Sequence, residues 1–218
     1  MLNPFNILIR ALAFLTAIPF HEAAHAYVSD KLGDPTAKNM GRMTLNPAAH
    51  FDLMGALCML LTGIGWARPV PINAYNFRDG KKGMAISAAA GPLSNILLAF
   101  ITLALAKIVL YGSYALGVAG TVSTTLVTIL STMTSINISL AIFNLLPIPP
   151  FDGSRIFSLF LPERTYFKIM EYEQYIFIGV FALLLLGVLD GPLSFVSGLL
   201  YNLLYRLTGF VELIFRLF

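Results

Sequence analysis

Residues 5–28 read FNILIRALAFLTAIPFHEAAHAYV, and Arg10 is the only charged residue before the polar cluster that begins at His21. A helix of roughly 20 apolar residues is long enough to cross the hydrocarbon core of a membrane. The stretch therefore predicts a membrane-spanning helix that carries His21, Glu22 and His25 at membrane depth. Ionisable groups are costly in that environment, so they are expected to have partners and a function.

The composition of the 218-residue chain agrees with a membrane location. Hydrophobic residues make up 57% and charged residues 11%, with a mean hydropathy of +0.79, whereas soluble proteins are about half apolar and a quarter charged. The pI of about 9.0 does not indicate nucleic acid as a partner, because the basic residues are scattered over short loops. The single Cys58 excludes an intramolecular disulfide and a Cys-rich metal site. We predict an all-α polytopic membrane protein, with the lipid bilayer as its surroundings.

Further apolar stretches lie at about 51–66, 84–110, 119–146, 174–189 and 192–208. The stretch 51–66 is short, and basic residues on both of its sides place both of its ends in the cytoplasm by the positive-inside rule. We therefore predict five transmembrane helices and a re-entrant or surface-lying insert at 51–66, with six transmembrane helices as the alternative. Proline-bounded extended segments at 40–46 and 67–73 predict a small β-rich part of this insert at the cytoplasmic side.

The spacing of His21, Glu22 and His25 is typical of a zinc site. Residues four apart lie on one face of a helix, so both histidines can bind one Zn²⁺ while Glu22 reaches the bound water. A catalytic zinc site usually has three protein ligands and an open position for water. A third ligand must therefore come from elsewhere in the chain.

His50, Asp52 and Asp152 are the candidates for the third ligand. Asp152 is the stronger one, because three prolines at 147–150 interrupt the preceding helix and allow the segment to bend back into a cavity. The alternative for Asp152 is an N-cap of a short helix at about 154–160.

Two distant motifs together resemble the site-2 proteases, a family of intramembrane zinc metalloproteases. The family combines HExxH in one transmembrane segment with N-x-x-P-x(4)-D-G, which is present here as Asn144, Pro147, Asp152 and Gly153. The resemblance covers roughly residues 15 to 160 and includes GRMTLNP at 41–47, GWARPVPIN at 65–73 and AGPLSN at 90–95. It is similar to the compact bacterial and archaeal branch without a PDZ or CBS domain.

The resemblance implies a role for each residue of these motifs. His21, His25 and Asp152 would bind one Zn²⁺ per chain, and Glu22 would be the general acid/base. The implied activity is hydrolysis of peptide bonds in or near transmembrane segments, as in regulated intramembrane proteolysis, with a transmembrane protein or peptide as substrate. A single protease domain would extend over 1–218, with a catalytic core at about 5–160 and C-terminal helices at about 161–218.

Three more polar residues are expected near the site. Asn144 is a candidate for orienting the substrate or the oxyanion, with a helix-to-helix hydrogen bond as the alternative. His50 is a candidate for contacting substrate or supporting a ligand, with a plain hydrogen bond at the rim as the alternative. Asn95 is expected to hydrogen-bond across helices near the site.

The location and two competing functions complete the interpretation. His21 lies about 15 Å before the cytoplasmic end of its helix, so the site is expected inside the cell membrane, nearer the cytoplasm. An ion-conducting transporter is the first alternative, but the chain has no matched internal repeat. A relative that binds membrane proteins without cutting them is the second, and the intact Glu22 argues against it. A homo-oligomer is compatible with the sequence.

Overall fold

Long helices dominate the computed structural model, which describes residues 4–55, 58 and 66–216. Short 3-10 turns at Pro47–His50, Ala74–Asn76 and Ser158–Phe160 connect some of these helices. The helices are, in chain order, α1 (Pro4–Leu32), α2 (Thr36–Asn39), α3 (Gly80–Ala115), α4 (Thr121–Asn144), α5 (Asp152–Phe157), α6 (Glu163–Glu171), α7 (Glu173–Leu185), α8 (Asp190–Leu207) and α9 (Gly209–Arg216).

Three of the described helices, α1, α3 and α4, are long and apolar enough to cross a membrane. At the C-terminal end, α7 and the stretch Asp190–Phe215, which contains α8 and most of α9, meet the same criterion only as a pair, and the two are bent by 85° at the break between them. Gly187 lies in this break with φ of 71°, a conformation that glycine adopts without strain. The described residues thus contain three candidate spans, or four if the bent pair is one span. This is fewer than the five to six predicted, because α7 has only 13 residues and is joined to the following stretch by a sharp bend.

The predicted β-rich segments do not form strands. In the part of the chain that the structure describes there is no β-strand, and residues 40–46 form turns and bends. Residues 66–73 have no regular secondary structure, and Asn73 has extended backbone angles. Pro69 and Pro71 have no backbone N–H, so this segment cannot supply the regular donors of a ladder. Most of the predicted insert at 51–66 lies outside the described residues.

Helix α3 occupies the centre of the fold and packs against α1, α4 and α5. Small residues let the helix backbones approach closely. Thr102 Oγ1 lies 2.8 Å from Thr134 Oγ1, which links α3 to α4. Such a bond contributes about 0.6 kcal/mol in a membrane, so close packing of small residues makes the larger contribution. The buried alanines of these helices include Ala17, Ala88, Ala99, Ala106 and Ala141.

Lys107 joins the C-terminal helices to α3. Its Nζ donates to the carbonyl of Tyr205 (2.9 Å), lies 2.7 Å from Glu212 Oε1, and sits 3.5 Å from the centre of the Tyr205 ring. A buried ammonium group is tolerated when it is paired and hydrogen-bonded in this way. These contacts hold α8 and α9 against the far end of α3, away from the polar cluster of α1.

Asp34 anchors the segment that follows residue 66 to the end of α1. Its carboxylate accepts hydrogen bonds from Thr36 N (3.1 Å), Asn73 N (2.7 Å) and Asn76 Nδ2 (2.8 Å). Burial raises the pKa of Asp34, but these hydrogen bonds outweigh it and hold the pKa below its usual value. The anchor is therefore fully effective above the ordinary pKa of a free Asp and is lost only as the pH falls through the lower folded-state pKa.

Candidate metal centre

Three side chains from two helices converge on one point. His21 Nε2 and His25 Nε2 lie 3.0 Å apart, and each lies 3.1 Å from Asp152 Oδ2. The two histidines are buried one helical turn apart on α1, and Asp152 is partly buried at the start of α5. Among the described residues, this is the group of three His, Cys, Asp or Glu side chains that could hold a metal ion.

The backbone after α4 delivers Asp152 to the histidines. A Cβ atom on Gly153 would fall on the carbonyl oxygens of Leu145 and Leu146, so the absence of a side chain lets α5 begin directly against the end of α4. The N-cap of α5 is Phe151, and no side chain caps the helix. Asp152 is thus the first residue of the helix rather than its cap, and its carboxylate points to the histidines.

Hydrogen bonds at the far side of each imidazole determine which ring nitrogen carries the proton. His25 Nδ1 donates to the carbonyl of Ser87 (2.7 Å), which can only accept. His21 Nδ1 lies 2.6 Å from Asn95 Oδ1, and Asn95 Nδ2 donates to Asn137 Oδ1 at 2.8 Å. The Asn95 oxygen therefore accepts from His21. With Nδ1 of each ring engaged as a donor, the Nε2 atoms of both histidines are the ring nitrogens available to a metal at the same point.

This arrangement fits a zinc ion. Two nitrogen lone pairs and a carboxylate oxygen repel one another at about 3 Å unless a cation lies between them. Tetrahedral zinc with ligands at 2.0–2.1 Å keeps its ligand atoms about 3.3 Å apart, close to the separations found here. Two histidines and one carboxylate form a known catalytic donor set that leaves one position for water. Outer-shell acceptors such as Asn95 and Ser87 are also typical of metal-binding histidines.

Gly91 makes room for both imidazole rings. It lies one turn before Asn95 on α3, facing α1, and a Cβ atom there would collide with His25 Nε2 and lie 2.6 Å from His21 Cε1. The rings cannot move aside without losing their bonds to Asn95 and Ser87. The absence of a side chain at position 91 is therefore a condition for the cluster.

Gly91→Ala should weaken zinc binding by on the order of 10- to 100-fold, the range that disturbed ligand support costs a metal site. Competition with a chromogenic chelator measures this affinity. Gly112→Ala is the matched control on the same helix, because its added methyl group would meet Phe215 Cζ at an ordinary 3.5 Å. Equal zinc affinities in the two variants would show that the site does not need the space that glycine leaves at position 91.

Glu22 lies beside the cluster on α1 and is buried. Its Oε2 accepts a hydrogen bond from the backbone N–H of Val70 at 2.8 Å. Because Pro69 and Pro71 have no N–H, Val70 is the single backbone donor in this tripeptide. One carboxylate oxygen of Glu22 is thus fixed, and the other can serve a reacting group.

The cluster opens into a cavity of about 1020 Å³. Apolar side chains from α1, α4 and α7 form much of its wall, including Phe14, Phe143, Phe177 and Phe181. Trp66 packs edge-to-face on Phe177, with ring centres 6.2 Å apart. The cavity therefore connects the polar cluster to an apolar space bounded by residues 66–72 and by α7.

The other predicted site residues lie around this cavity. His50 does not join the cluster, since its Nε2 donates to the carbonyl of Thr44 at 2.9 Å. Asp52 accepts from the backbone N–H of Gly55 at 2.8 Å instead. Asn144 lines the cavity, and its Nδ2 donates to Leu140 O of its own helix at 2.9 Å.

A helical membrane scaffold with a buried His₂-carboxylate cluster and an adjacent Glu is the arrangement of a zinc metalloprotease. The family model described as "Peptidase family M50" matches residues 9–188, and the chain belongs to that family. The predicted resemblance to the site-2 proteases and the predicted enzyme class are thereby confirmed.

Named relatives agree with this membership. The chain is 41% identical over 167 residues to "Putative zinc metalloprotease YwhC" of Bacillus subtilis, which covers 77% of this chain and 75% of the relative. It is 29% identical over 157 residues to "Putative zinc metalloprotease MJ0611" of Methanocaldococcus jannaschii, with shares of 70% and 72%. A third relative, "Putative zinc metalloprotease Rip2" of Mycolicibacterium smegmatis, is 25% identical over 182 residues, with shares of 81% and 66%. No solved structure matches the chain.

Proposed function

We propose that this protein cleaves peptide bonds in or near transmembrane segments of membrane proteins, using one zinc ion held by His21, His25 and Asp152. The observation that carries the proposal is the convergence of two imidazole nitrogens, from a helix long enough to cross a membrane, with the carboxylate of Asp152 at 3.0–3.1 Å. The largely apolar cavity beside them is suited to a hydrophobic peptide segment.

The reaction follows from the groups around the cluster. Zinc, when bound, supplies Lewis-acid activation of water and of the scissile carbonyl. Glu22, fixed at Oε2 by Val70 N–H, accepts the proton of the attacking water and delivers it to the leaving amine. Asn144 lines the cavity at the end of α4 and is proposed to orient the substrate, and His50, which also lines the cavity, is proposed to contact it.

The charge distribution supports a cytoplasmic opening of the site. Lys31, Lys38 and Arg42 lie at or just beyond the end of α1 at Leu32, and basic residues favour the cytoplasmic side. His21 precedes Leu32 by about 16 Å of helix. We therefore propose a multi-pass protein of the cell membrane, with one protease domain over residues 1–218, an N-terminus outside and the site within the bilayer nearer the cytoplasm.

Two matched single-span peptides in lipid nanodiscs test this function. One carries a helix-weakening Asn-Gly pair in the cytoplasmic half of a leucine-rich span, and the other has leucines at those positions. A transmembrane helix must lose internal hydrogen bonds before its carbonyls become accessible, so the purified zinc-loaded protein should cut the weakened peptide faster. Mass spectrometry should place the cut within or beside the span. Cleavage confined to a soluble unfolded peptide would contradict an intramembrane substrate.

A further inference from the structure

Arg42 is a buried cation whose hydrogen bonds go to two backbone carbonyls. Its side chain is 9% exposed, and Nη2 donates to the carbonyls of Arg68 (2.6 Å) and Pro69 (3.2 Å). Its Nε has no hydrogen-bond partner. Burial and the nearby Arg68 lower the pKa of Arg42, whereas attraction to Glu22 raises it. Burying a guanidinium group is costly, and the two carbonyls that bind it belong to the residues directly before Val70.

The Pro69 carbonyl and the Val70 N–H belong to the same peptide group. A trans peptide is planar, and its C=O and N–H point in opposite directions. The only cis bond among the described residues is Pro149-Pro150, so the Pro69-Val70 peptide is trans. Arg42 therefore holds one edge of this plane at the Pro69 oxygen, while the opposite edge donates to Glu22 Oε2.

Other contacts fix the segment on either side of this peptide group. Arg68 N donates to the carbonyl of His50 at 2.9 Å, and Asn73 N donates to Asp34 Oδ2 at 2.7 Å. These bonds hold the path of the chain before and after Val70. The Val70 side chain is buried against Ala26 and Ala37, and the two polar edges of the Pro69-Val70 plane bond to Arg42 and to Glu22.

We infer that Arg42 is a positioning residue for the reaction, because it holds the Pro69-Val70 peptide so that the Val70 N–H keeps the Glu22 carboxylate in place. This inference rests on the proposed role of Glu22 in hydrolysis. It assigns to the backbone of the segment Arg68-Pro69-Val70-Pro71 a supporting part in catalysis, exerted through Glu22. Because Pro69 and Pro71 have no N–H, Val70 supplies the one backbone donor whose orientation Arg42 can fix between them.

Arg42→Met tests the inference, since methionine fills a similar apolar volume and cannot donate. Site-resolved hydrogen exchange at the Val70 amide in zinc-free protein should become faster by on the order of tenfold, as expected when a hydrogen bond to a charged group is weakened. With the weakened single-span peptide, kcat should fall by on the order of 10- to 100-fold, the cost typical of lost outer-shell support. KM, zinc content and the thermal unfolding midpoint should be unchanged.

Two variants separate positioning from a general effect of charge or stability. Arg42→Lys keeps a donor and should recover part of both the Val70 protection and kcat. Lys38→Met removes an exposed cation that lies four residues before Arg42 and pairs with Asp30. This variant should match the parent in every measurement.

Unchanged hydrogen exchange at the Val70 amide in Arg42→Met would show that Arg42 does not hold the Pro69-Val70 peptide. Faster exchange with unchanged kcat would show that the position of this peptide does not affect the reaction. A lower unfolding midpoint with unchanged kcat per folded molecule would mean that Arg42 only stabilises the fold. Failure of the proposed function shows differently, as full activity of Glu22→Gln or as no cleavage by the parent. The exchange measurement needs no substrate, so it tests whether Arg42 holds the Pro69-Val70 peptide even if the proposed function is wrong.

Discussion

Glu22→Gln should lower kcat for peptide hydrolysis by about 10²- to 10⁴-fold, the contribution typical of a positioned general acid/base. The substitution is nearly isosteric, and the amide oxygen of Gln can still accept the Val70 N–H that now bonds to Glu22 Oε2. The side chain should therefore keep its position and lose only its ability to accept a proton. Zinc content should stay equal to that of the parent, because Glu22 is outside the three-atom cluster.

Two further variants sharpen this experiment on Glu22. Glu22→Asp keeps a carboxylate but is one methylene shorter, so it should retain more activity than Gln only if proton transfer matters more than reach. Asp30→Asn removes a carboxylate from the same helix, where Asp30 pairs with Lys38, and should leave kcat unchanged. Full activity in Glu22→Gln would refute the proposed role of Glu22.

The positions of His21, Glu22 and His25 follow from sequence because helical periodicity alone fixes them. A four-residue spacing places two side chains on one face whatever surrounds the helix. Asp152 lies 127 residues from His25, so no local rule connects the two. The motif around Asn144 and Gly153 indicated Asp152, and the structure shows how Gly153 permits its approach.

The partners of the imidazoles could not be predicted, because they depend on how α1 and α3 pack. Ser87 contributes a carbonyl, and Gly91 contributes an absent side chain, so neither carries recognisable chemistry in the sequence. Asn95 was expected to bond across helices, but the sequence does not say that His21 is its partner. The four-residue spacing of Ser87, Gly91 and Asn95 along α3 was the one available signal, because it places all three on one helix face.

Residues 67–73 show why the local sequence pattern led to a wrong prediction of a β-strand. Alternation and flanking prolines in 67–73 are typical of an edge strand. The same prolines remove N–H groups, and the segment bonds to the side chains of Glu22, Arg42 and Asp34 and to the carbonyl of His50 rather than to another strand. The sequence does not indicate these partners, since most of them are side chains distant in sequence.

His21→Ala and Asp152→Ala should each reduce bound zinc from about one ion per chain to near zero, since a catalytic site usually requires three protein ligands. Elemental analysis of purified protein after dialysis against buffered zinc measures the stoichiometry. Both variants should also lose peptide hydrolysis. Their helices should persist by circular dichroism, because the small-residue contacts between α1, α3 and α4 do not involve the cluster.

His50→Gln is the control that separates this site from a general loss of histidine. His50 is buried and lines the same cavity, but its Nε2 bonds to the Thr44 carbonyl, which a Gln amide can also reach. It should bind zinc like the parent. Zinc lost in His21→Ala and His50→Gln but kept in Asp152→Ala would make His50 the third ligand. A folded parent without zinc would contradict the metal site.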